Sequence, residues 1–220
     1  MTRGLRPGLI IFDLDGTLID SSGDIAWAAN RALIDMGQEA LDPAVIKAAI
    51  GWGVKALFER VMPGESAETI GMAREIFLGY YGGRLMEETV IYPGVMDTLA
   101  HFHAKGKKLA VVTNKSIGLT ERIMDGLGLR RFFAMVLGGD SVANKKPHPE
   151  PLLLVMERLG SAPTETVFVG DSAIDCETGH RAGVWTIGAG YGFRGREELI
   201  NCGCDMVIDR IDELKDVLAG

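Results

Sequence analysis

The sequence contains little cysteine. Its 220 residues include three cysteines, an odd number at irregular spacing: Cys176, Cys202 and Cys204. This pattern argues against a disulfide framework and favours a reducing compartment. Cys202 and Cys204 are close enough in sequence to share a metal ion. Because we find no second cysteine or histidine pair at ligand spacing, we predict no metal site there.

Positive charge is also scarce. Lysine and arginine number 23 against 30 aspartates and glutamates, which gives a net charge of −7. A chain with this charge is a poor general surface for nucleic acid or for anionic lipid, so we expect neither nucleic acid nor a membrane as a partner. An anionic substrate would therefore require positive charge that is placed locally.

Long apolar runs are missing from the sequence. No stretch approaches the roughly 18 apolar residues of a membrane span. The first apolar run, residues 9–12, ends at Asp13 and is far shorter than the roughly 7–15 apolar residues of a secretory signal. We therefore expect a cytoplasmic protein.

Short apolar runs alternate instead with helix-like segments. The predicted strands are residues 9–12, 109–112, 135–137, 167–169, 184–187 and 206–208. The predicted helices between them are residues 95–104, 118–126, 151–159, 175–182 and 197–201. Several of the runs are continuously apolar, as in strands that are buried on both faces. This alternation indicates an α/β fold with a doubly wound parallel sheet.

Residues 21–91 break the alternation. Apolar residues recur there at helical spacing in three stretches, residues 25–36, 54–61 and 70–80, and we find no convincing strand. The simplest interpretation is an all-α helical cap inserted after the first strand. The predicted core then comprises residues 1–20 and 92–220, and the cap is expected to close over the cleft and exclude water.

Chemically reactive side chains follow the predicted strands. Asp13 and Asp15 come directly after the first strand, Thr113 follows the second, and Asp171 and Asp175 follow the strand at 167–169. The carboxyl ends of parallel strands form the ligand crevice of such sheets, so these side chains should converge. Clustered carboxylates repel one another unless a metal ion or shared protons offset their charge.

This donor set, with Lys146 from a nearby loop, suits phosphoryl transfer. Mg²⁺ prefers carboxylate oxygens together with water and phosphate oxygens. The transfer itself depends mainly on positioning and on charge stabilisation, and a carboxylate can attack phosphorus to form an aspartyl phosphate.

The same segments resemble the four motifs of the haloacid dehalogenase superfamily, and within it the phosphoglycolate phosphatases. The matching segments are DLDGTLID at 13–20, VVTNK at 111–115, KKPHPEP at 145–151 and GDSAID at 170–175. The resemblance implies that Asp13 is the nucleophile and that Thr113 and Asn114 bind the phosphoryl group. It also implies that Lys146 steadies the charge on the nucleophile and the phosphoryl oxygens.

The resemblance further implies a Mg²⁺ cofactor. Its ligands would be Asp13, the main-chain carbonyl of Asp15 and Asp171, with Asp175 either as a ligand or as support for one. Members that attack carbon–halogen bonds lack an acid at the position of Asp15, because halide leaves without a proton. An alkoxide needs one, so Asp15 is expected to donate that proton and later to deprotonate water. The implied reaction is hydrolysis of a small phosphorylated metabolite, with 2-phosphoglycolate favoured.

The segment from Gly51 to Arg60 resembles the cap segment of phosphoglycolate phosphatases. We expect Gly51, Trp52 and Gly53 to face the substrate, although Trp52 replaces a small polar residue. Lys55 and Arg60 either contact a substrate carboxylate or lie on a solvated helix face.

Three other functions remain open at the level of sequence. A sugar-phosphate mutase of the superfamily typically carries a histidine where this chain has Ile25. A pyrophosphatase or nucleotide phosphatase would keep the same motifs. A non-catalytic binding module would have lost a catalytic residue, and none is missing. The oligomeric state, monomer or homodimer, is open as well.

Overall fold

A six-stranded parallel sheet forms the centre of the structure, a computed structural model that describes residues 6–218. The six strands of this sheet are β1 (Leu9–Phe12), β4 (Lys108–Val112), β5 (Met135–Leu137), β6 (Thr166–Gly170), β7 (Trp185–Ala189) and β8 (Met206–Ile208). The sheet order is β5-β4-β1-β6-β7-β8, and every pair is parallel. Two further strands, β2 (Ile19–Asp20) and β3 (Val90–Ile91), form a separate pair. The predicted α/β fold is confirmed, and each strand predicted from an apolar run is present.

Ten helices accompany the strands in this part of the chain. They are α1 (Ser22–Asp35), α2 (Pro43–Ala49), α3 (Val54–Val61), α4 (Ala67–Gly83), α5 (Val95–Ala104), α6 (Ile117–Gly126), α7 (Glu150–Leu159), α8 (Ala173–Ala182), α9 (Gly195–Asn201) and α10 (Leu214–Val217). Among the described residues, none of the helices combines the length and the apolar character that crossing a membrane requires.

Strand β1 shows why the apolar runs form this sheet. All four of its side chains are fully buried. Ile10 and Phe12 belong to one hydrophobic cluster, whereas Leu9 and Ile11 belong to a second. Because successive side chains of a strand point to opposite faces, a strand covered on both faces needs apolar residues at every position.

The strand order creates a switch point at the carboxyl end of β1. From β1 the sheet continues through β4 and β5 on one side, and through β6, β7 and β8 on the other. The crevice at such a switch point is the usual ligand site of an open α/β sheet. The loops that follow β1, β4 and β6 all open into it.

Helices α1–α4 form a group of their own between β2 and β3. Helix α1 packs against α4 and α2, and α3 packs against the same two helices. The prediction of no strand between residues 21 and 91 was wrong at β3, which pairs antiparallel with β2 through Ile19–Ile91 and Asp20–Val90. Two residues are too few to show a strand period. The exact division into core and cap stays a prediction.

Helix α2 was also missing from the sequence-based prediction. It has only 7 residues, so it shows little apolar periodicity. Its signal was local: the Asp42 side chain accepts a hydrogen bond of 2.7 Å from the Ala44 N–H, and Pro43 occupies the first helical position. Both are typical of a helix start.

Asp24 holds α1 to the segment that returns to the core. Its fully buried carboxylate accepts hydrogen bonds from the Glu88 N–H at 3.0 Å, from the Thr89 N–H at 2.8 Å and from the Thr89 hydroxyl at 2.7 Å. The Arg84 guanidinium lies 3.4 Å away. One carboxylate therefore satisfies three donors from a single short segment.

We expect Asp24→Ala to lower the free energy of unfolding by about 3–5 kcal/mol, because it leaves these donors and the Arg84 charge without their partner. Urea denaturation measures the loss. The control is Asp35→Ala, since Asp35 is exposed and accepts one hydrogen bond, from the Tyr80 hydroxyl. Its loss should stay near 0.5 kcal/mol. Equal losses in the two variants would show that Asp24 has no special structural role.

Candidate active site

Three strand ends bring the predicted site residues together. Asp13 follows β1, and its N–H donates to the Val169 carbonyl at 2.9 Å. Thr113 follows β4, and its N–H donates to the Leu137 carbonyl at 3.0 Å. Asp171 follows β6. All three side chains are buried. The backbone hydrogen bonds of the sheet thus extend one residue beyond β1 and β4. They fix the backbone positions from which the side chains of Asp13 and Thr113 project.

Asp13, Asp171 and Asp175 form a buried acidic cluster. Each offers a carboxylate oxygen, and these oxygens lie within 4.8 Å of one another. The Lys146 ammonium, also buried, lies 2.8 Å from Asp13 Oδ1 and 2.6 Å from Asp175 Oδ1. Three carboxylates therefore share one lysine, and negative charge is in excess.

The pKa values reflect that excess. Burial raises the pKa of Asp13 to about 7; the Lys146 charge opposes this shift and the Asp175 charge adds to it. Burial, followed by the charges of Asp175 and Asp13, holds the pKa of Asp171 well above its usual range. Burial alone would lower the pKa of Lys146, but Asp13 and Asp175 raise it, so the ammonium stays charged. A further cation would relieve the cluster.

The acidic cluster fits a hard divalent cation such as Mg²⁺. Asp13 Oδ1 is buried and makes no well-directed hydrogen bond within residues 6–218, in spite of its nearness to Lys146. Asp171 Oδ2 accepts the Phe193 N–H at 2.7 Å. Carboxylate oxygens of this kind are the donors that Mg²⁺ prefers. Asp13 and Asp171 are thus the side chains best placed to bind it.

Asp175 already has partners for both of its oxygens. Oδ1 accepts from Lys146 at 2.6 Å, whereas Oδ2 accepts the Ser172 N–H at 3.1 Å and the Ser172 hydroxyl at 2.6 Å. Of the two roles that the sequence left open, these contacts favour support for the site over direct metal ligation.

Gly16 brings the loop after Asp15 against Asp171. Its φ is +85°, and a Cβ built there would lie 2.1 Å from Asp171 Oδ2. Only glycine adopts this left-handed conformation readily and avoids a clash with the Asp171 carboxylate.

The Asp15 side chain points to a second polar group rather than to the acidic cluster. Its Oδ1 accepts from the Ser21 hydroxyl at 2.5 Å and from the Lys115 ammonium at 2.6 Å. Lys115 also donates to the Tyr81 hydroxyl, in α4, at 2.8 Å. Burial alone would lower the pKa of Lys115, but Asp15 and Tyr81 raise it. The metal role implied for Asp15 therefore concerns its main-chain carbonyl only.

Lys115 and Tyr81 were not among the residues predicted from the sequence. The one signal for Lys115 was its place at the end of VVTNK, directly after Thr113 and Asn114. Tyr81 gave no signal of its own, because in sequence it is one of the apolar residues on the buried face of a helix.

The predicted phosphate-binding residue Asn114 lies between two loops. Its side-chain amide donates to the Gly51 carbonyl at 2.9 Å and to the Lys146 carbonyl at 3.0 Å. Its buried Oδ1 has no hydrogen-bond partner among the described residues. Asn114 therefore connects the loop before α3 to the loop that carries Lys146.

A cavity of about 230 Å³ lies between the strand ends and helices α3 and α4. Its wall includes Asp13, Asp15, Thr113, Asn114, Gly51, Gly53, Ile25 and Tyr81, with the lysines Lys55, Lys115 and Lys145. The Lys145 ammonium donates to the Trp52 carbonyl at 2.6 Å. The three lysines place positive charge at the cavity wall in a chain of net negative charge.

Trp52 and Arg60 are not part of that wall. The Arg60 guanidinium lies 5.0 Å from the centre of the Trp52 ring, so the two side chains pair with each other. Lys55 is at the wall, but its side chain is 68 % exposed and pairs with Glu59 at 2.5 Å. A substrate role for these three residues stays a prediction.

Known proteins resemble the sequence of this chain along nearly its whole length. The chain is 35% identical to the phosphoglycolate phosphatase of Salmonella typhimurium, over 95% of this chain and 91% of that protein. It is 37% identical to the phosphoglycolate phosphatase of Colwellia psychrerythraea, over 94% of each.

Solved structures agree with these relatives. A predicted phosphoglycolate phosphatase from Haemophilus somnus superposes with a TM-score of 0.90 at 31% identity, covering 96% of this chain and 97% of that one. A predicted phosphatase from Clostridium acetobutylicum superposes with a TM-score of 0.88 at 26% identity, covering 98% and 100%. The family model described as haloacid dehalogenase-like hydrolase matches residues 10–189. Fold, acidic cluster and family model agree, and the chain belongs to the haloacid dehalogenase-like hydrolases.

Proposed function

We propose that the chain is a Mg²⁺-dependent phosphatase that hydrolyses a small phosphomonoester, with 2-phosphoglycolate as the favoured substrate. The observation that carries the proposal is the buried group of Asp13, Asp171 and Lys146 beneath a small cavity lined by further lysines. The phosphoglycolate phosphatases among its relatives support the choice of substrate.

In the proposed reaction Asp13 is the nucleophile and Asp15 is the general acid and base. An oxygen of Asp13 attacks phosphorus, the bond to the ester oxygen breaks, and that oxygen leaves with a proton from Asp15. Asp15 then takes a proton from water, whose oxygen attacks phosphorus and breaks the bond to Asp13. The products are the alcohol and inorganic phosphate, and both carboxyl groups return to their starting states.

The residues around Asp13 hold the reacting groups in place. Lys146 fixes the Asp13 carboxylate and faces the phosphoryl oxygens, and Asp175 holds Lys146 from the other side. A Mg²⁺ ion bound by Asp13, Asp171 and the Asp15 carbonyl would supply positive charge to the carboxylates and the phosphoryl group. Thr113 lies beside Asp13 and is available to donate a hydrogen bond to the phosphoryl group.

Lys115 links the substrate to Asp15. In the structure its ammonium lies 2.6 Å from Asp15 Oδ1, whereas the proposed first step needs Asp15 to donate a proton to the leaving oxygen. Asp15 and Lys115 line the same cavity. The carboxylate of a phosphoglycolate molecule bound there can therefore take the place of Asp15 at the Lys115 ammonium. Substrate binding would then free Asp15 to carry the proton.

The mutase alternative has less support. Ile25, at the position where mutases carry a histidine, lines the cavity with an apolar side chain that can neither donate nor accept a proton.

The direct test is Asp13→Asn, assayed by phosphate release from 2-phosphoglycolate with and without Mg²⁺. We expect turnover to fall on the order of 10⁴-fold or more, as for loss of other enzymic nucleophiles. The control is Asp20→Asn in the same motif, since the Asp20 carboxylate accepts from the N–H and hydroxyl of Ser22, lies 3.7 Å from the Lys47 ammonium and is not part of the cavity wall. Its turnover should be unchanged. Full activity of Asp13→Asn would refute the proposal, as would isomerisation of a sugar phosphate without phosphate release.

Lys115→Met tests recognition of the substrate carboxylate. We expect kcat/KM for 2-phosphoglycolate to fall about 10- to 100-fold more than kcat/KM for ethyl phosphate, since a charged hydrogen bond contributes about 1.5–3 kcal/mol. Ethyl phosphate has no carboxylate to replace Asp15 at Lys115, so this loss should be confined to 2-phosphoglycolate. Lys55→Met should leave the ratio unchanged. If Lys55→Met lowers the ratio and Lys115→Met does not, the assignment of Lys115 is wrong.

The raised pKa of Asp13 predicts how stability depends on pH without divalent cations. Between pH 4 and pH 7 the folded chain keeps a proton on Asp13 that the unfolded chain, with a pKa near 3.8, has lost. The free energy of unfolding should therefore fall as pH rises through this range, by up to roughly 4 kcal/mol from this group. Urea denaturation in chelator should show a weaker fall in Asp13→Asn, and parallel pH curves for the two proteins would contradict the prediction.

A further inference from the structure

The three cysteines of the chain meet at one place, although Cys176 lies 26 residues before Cys202. Cys176 lies in α8, Cys202 directly follows α9, and Cys204 lies between α9 and β8. All three are free thiols, and their sulfur atoms lie within 4.8 Å of one another. None of them belongs to the active site described above.

A histidine stands beside this thiol cluster. His180 lies one turn after Cys176 on α8, and its Nε2 is 4.0 Å from the Cys176 sulfur. Cys176 and His180 have helical i, i+4 spacing, which places both on one helix face. The sequence predicted no metal site at Cys202 and Cys204, and a third thiol, Cys176, joins them only in the folded chain.

The distances suit a tetrahedral metal ion. Zinc–sulfur bonds of about 2.3 Å in a tetrahedral site separate neighbouring sulfurs by roughly 3.8 Å. The sulfurs of Cys202 and Cys204 are 3.9 Å apart. A disulfide would need about 2.05 Å. Cys202 and Cys204 are thus spaced as two ligands of a common ion, and the Cys176 sulfur lies within 4.8 Å of both.

The cluster is also open to solvent on one side. Cys176 is buried, whereas Cys202 and Cys204 are partly exposed and the His180 side chain is 42 % exposed. His180 Nε2 also lies 3.3 Å from the Thr186 hydroxyl and 3.9 Å from Asp205 Oδ2, so this nitrogen already has polar neighbours. An ion can therefore enter from solvent and meet an inner ligand that the helix already holds in place.

We propose that the sulfurs of Cys176, Cys202 and Cys204 bind a Zn²⁺ ion, with the fourth position left to a water molecule. Each thiol gives up its proton when it binds the ion. The soft thiolates select zinc, while the oxygens of the acidic cluster suit Mg²⁺, so the two sites do not compete for one metal. The bound ion would join α8 to the segment between α9 and β8. The proposal does not depend on the phosphatase activity.

Titration of the reduced, metal-free chain with Co²⁺ alone tests the site. We expect one Co²⁺ per chain to produce a sulfur-to-cobalt charge-transfer band, and Zn²⁺ to abolish it by displacement. Cys202→Ser and Cys204→Ser should bind more weakly by more than the roughly 10- to 100-fold that loss of an outer-shell partner costs. The control is Asp171→Asn, which should keep the band because its cluster offers only oxygen. Absence of the band, or its persistence in both serine variants, would overturn the proposal.

A second measurement does not rely on variants. Zn²⁺ should protect all three thiols of the unmodified chain from alkylation, as mapped by mass spectrometry. Equal alkylation of Cys202 and Cys204 with and without Zn²⁺ would overturn the proposal, and so would conversion of these two residues to a disulfide in the presence of Zn²⁺.

Discussion

The excess of buried negative charge at the end of the sheet is the constraint on which the rest of the site depends. Asp13 and Asp175 share the ammonium of Lys146, and the carboxylate of Asp171 lies within 4.8 Å of both, so the folded chain carries an unfavourable interaction that a bound cation would relieve. A structure keeps such a cluster only if the elements around it are rigid. Here the fully buried strand β1 and the close approach of Gly16 to Asp171 supply that rigidity.

The helical segment is held by the residues that line the cavity. Lys115 reaches Tyr81, Asn114 reaches Gly51, and Lys145 reaches Trp52. Each contact joins a loop of the sheet to the segment between β2 and β3. Opening the cavity would remove partners from a buried lysine and a buried amide, which is costly unless water or substrate replaces them. If the helical segment moves when substrate binds, closure and binding would be coupled through the same polar atoms.

The sequence was sufficient to predict features that depend on consecutive residues. A continuous apolar run that ends in Asp13 predicts both a buried strand and an acid at its end, and the structure has both. It was insufficient where partners meet only in three dimensions. Lys115 meets Tyr81 across 34 residues, and Cys176 meets Cys202 across 26. Neither separation carries a periodic signal, and the two-residue strands β2 and β3 are too short to show one.

Helix α8 connects these observations. Asp175 lies in its first turn, where one carboxylate oxygen accepts the Ser172 N–H and the other accepts from Lys146. The helix start and the position of the lysine therefore depend on the same side chain. If the first turn of α8 frays, Asp175 moves, Lys146 loses one of its two carboxylates, and Asp13 would no longer be held for the proposed attack. An interaction that steadies α8 from its other face acts on the active site without touching it.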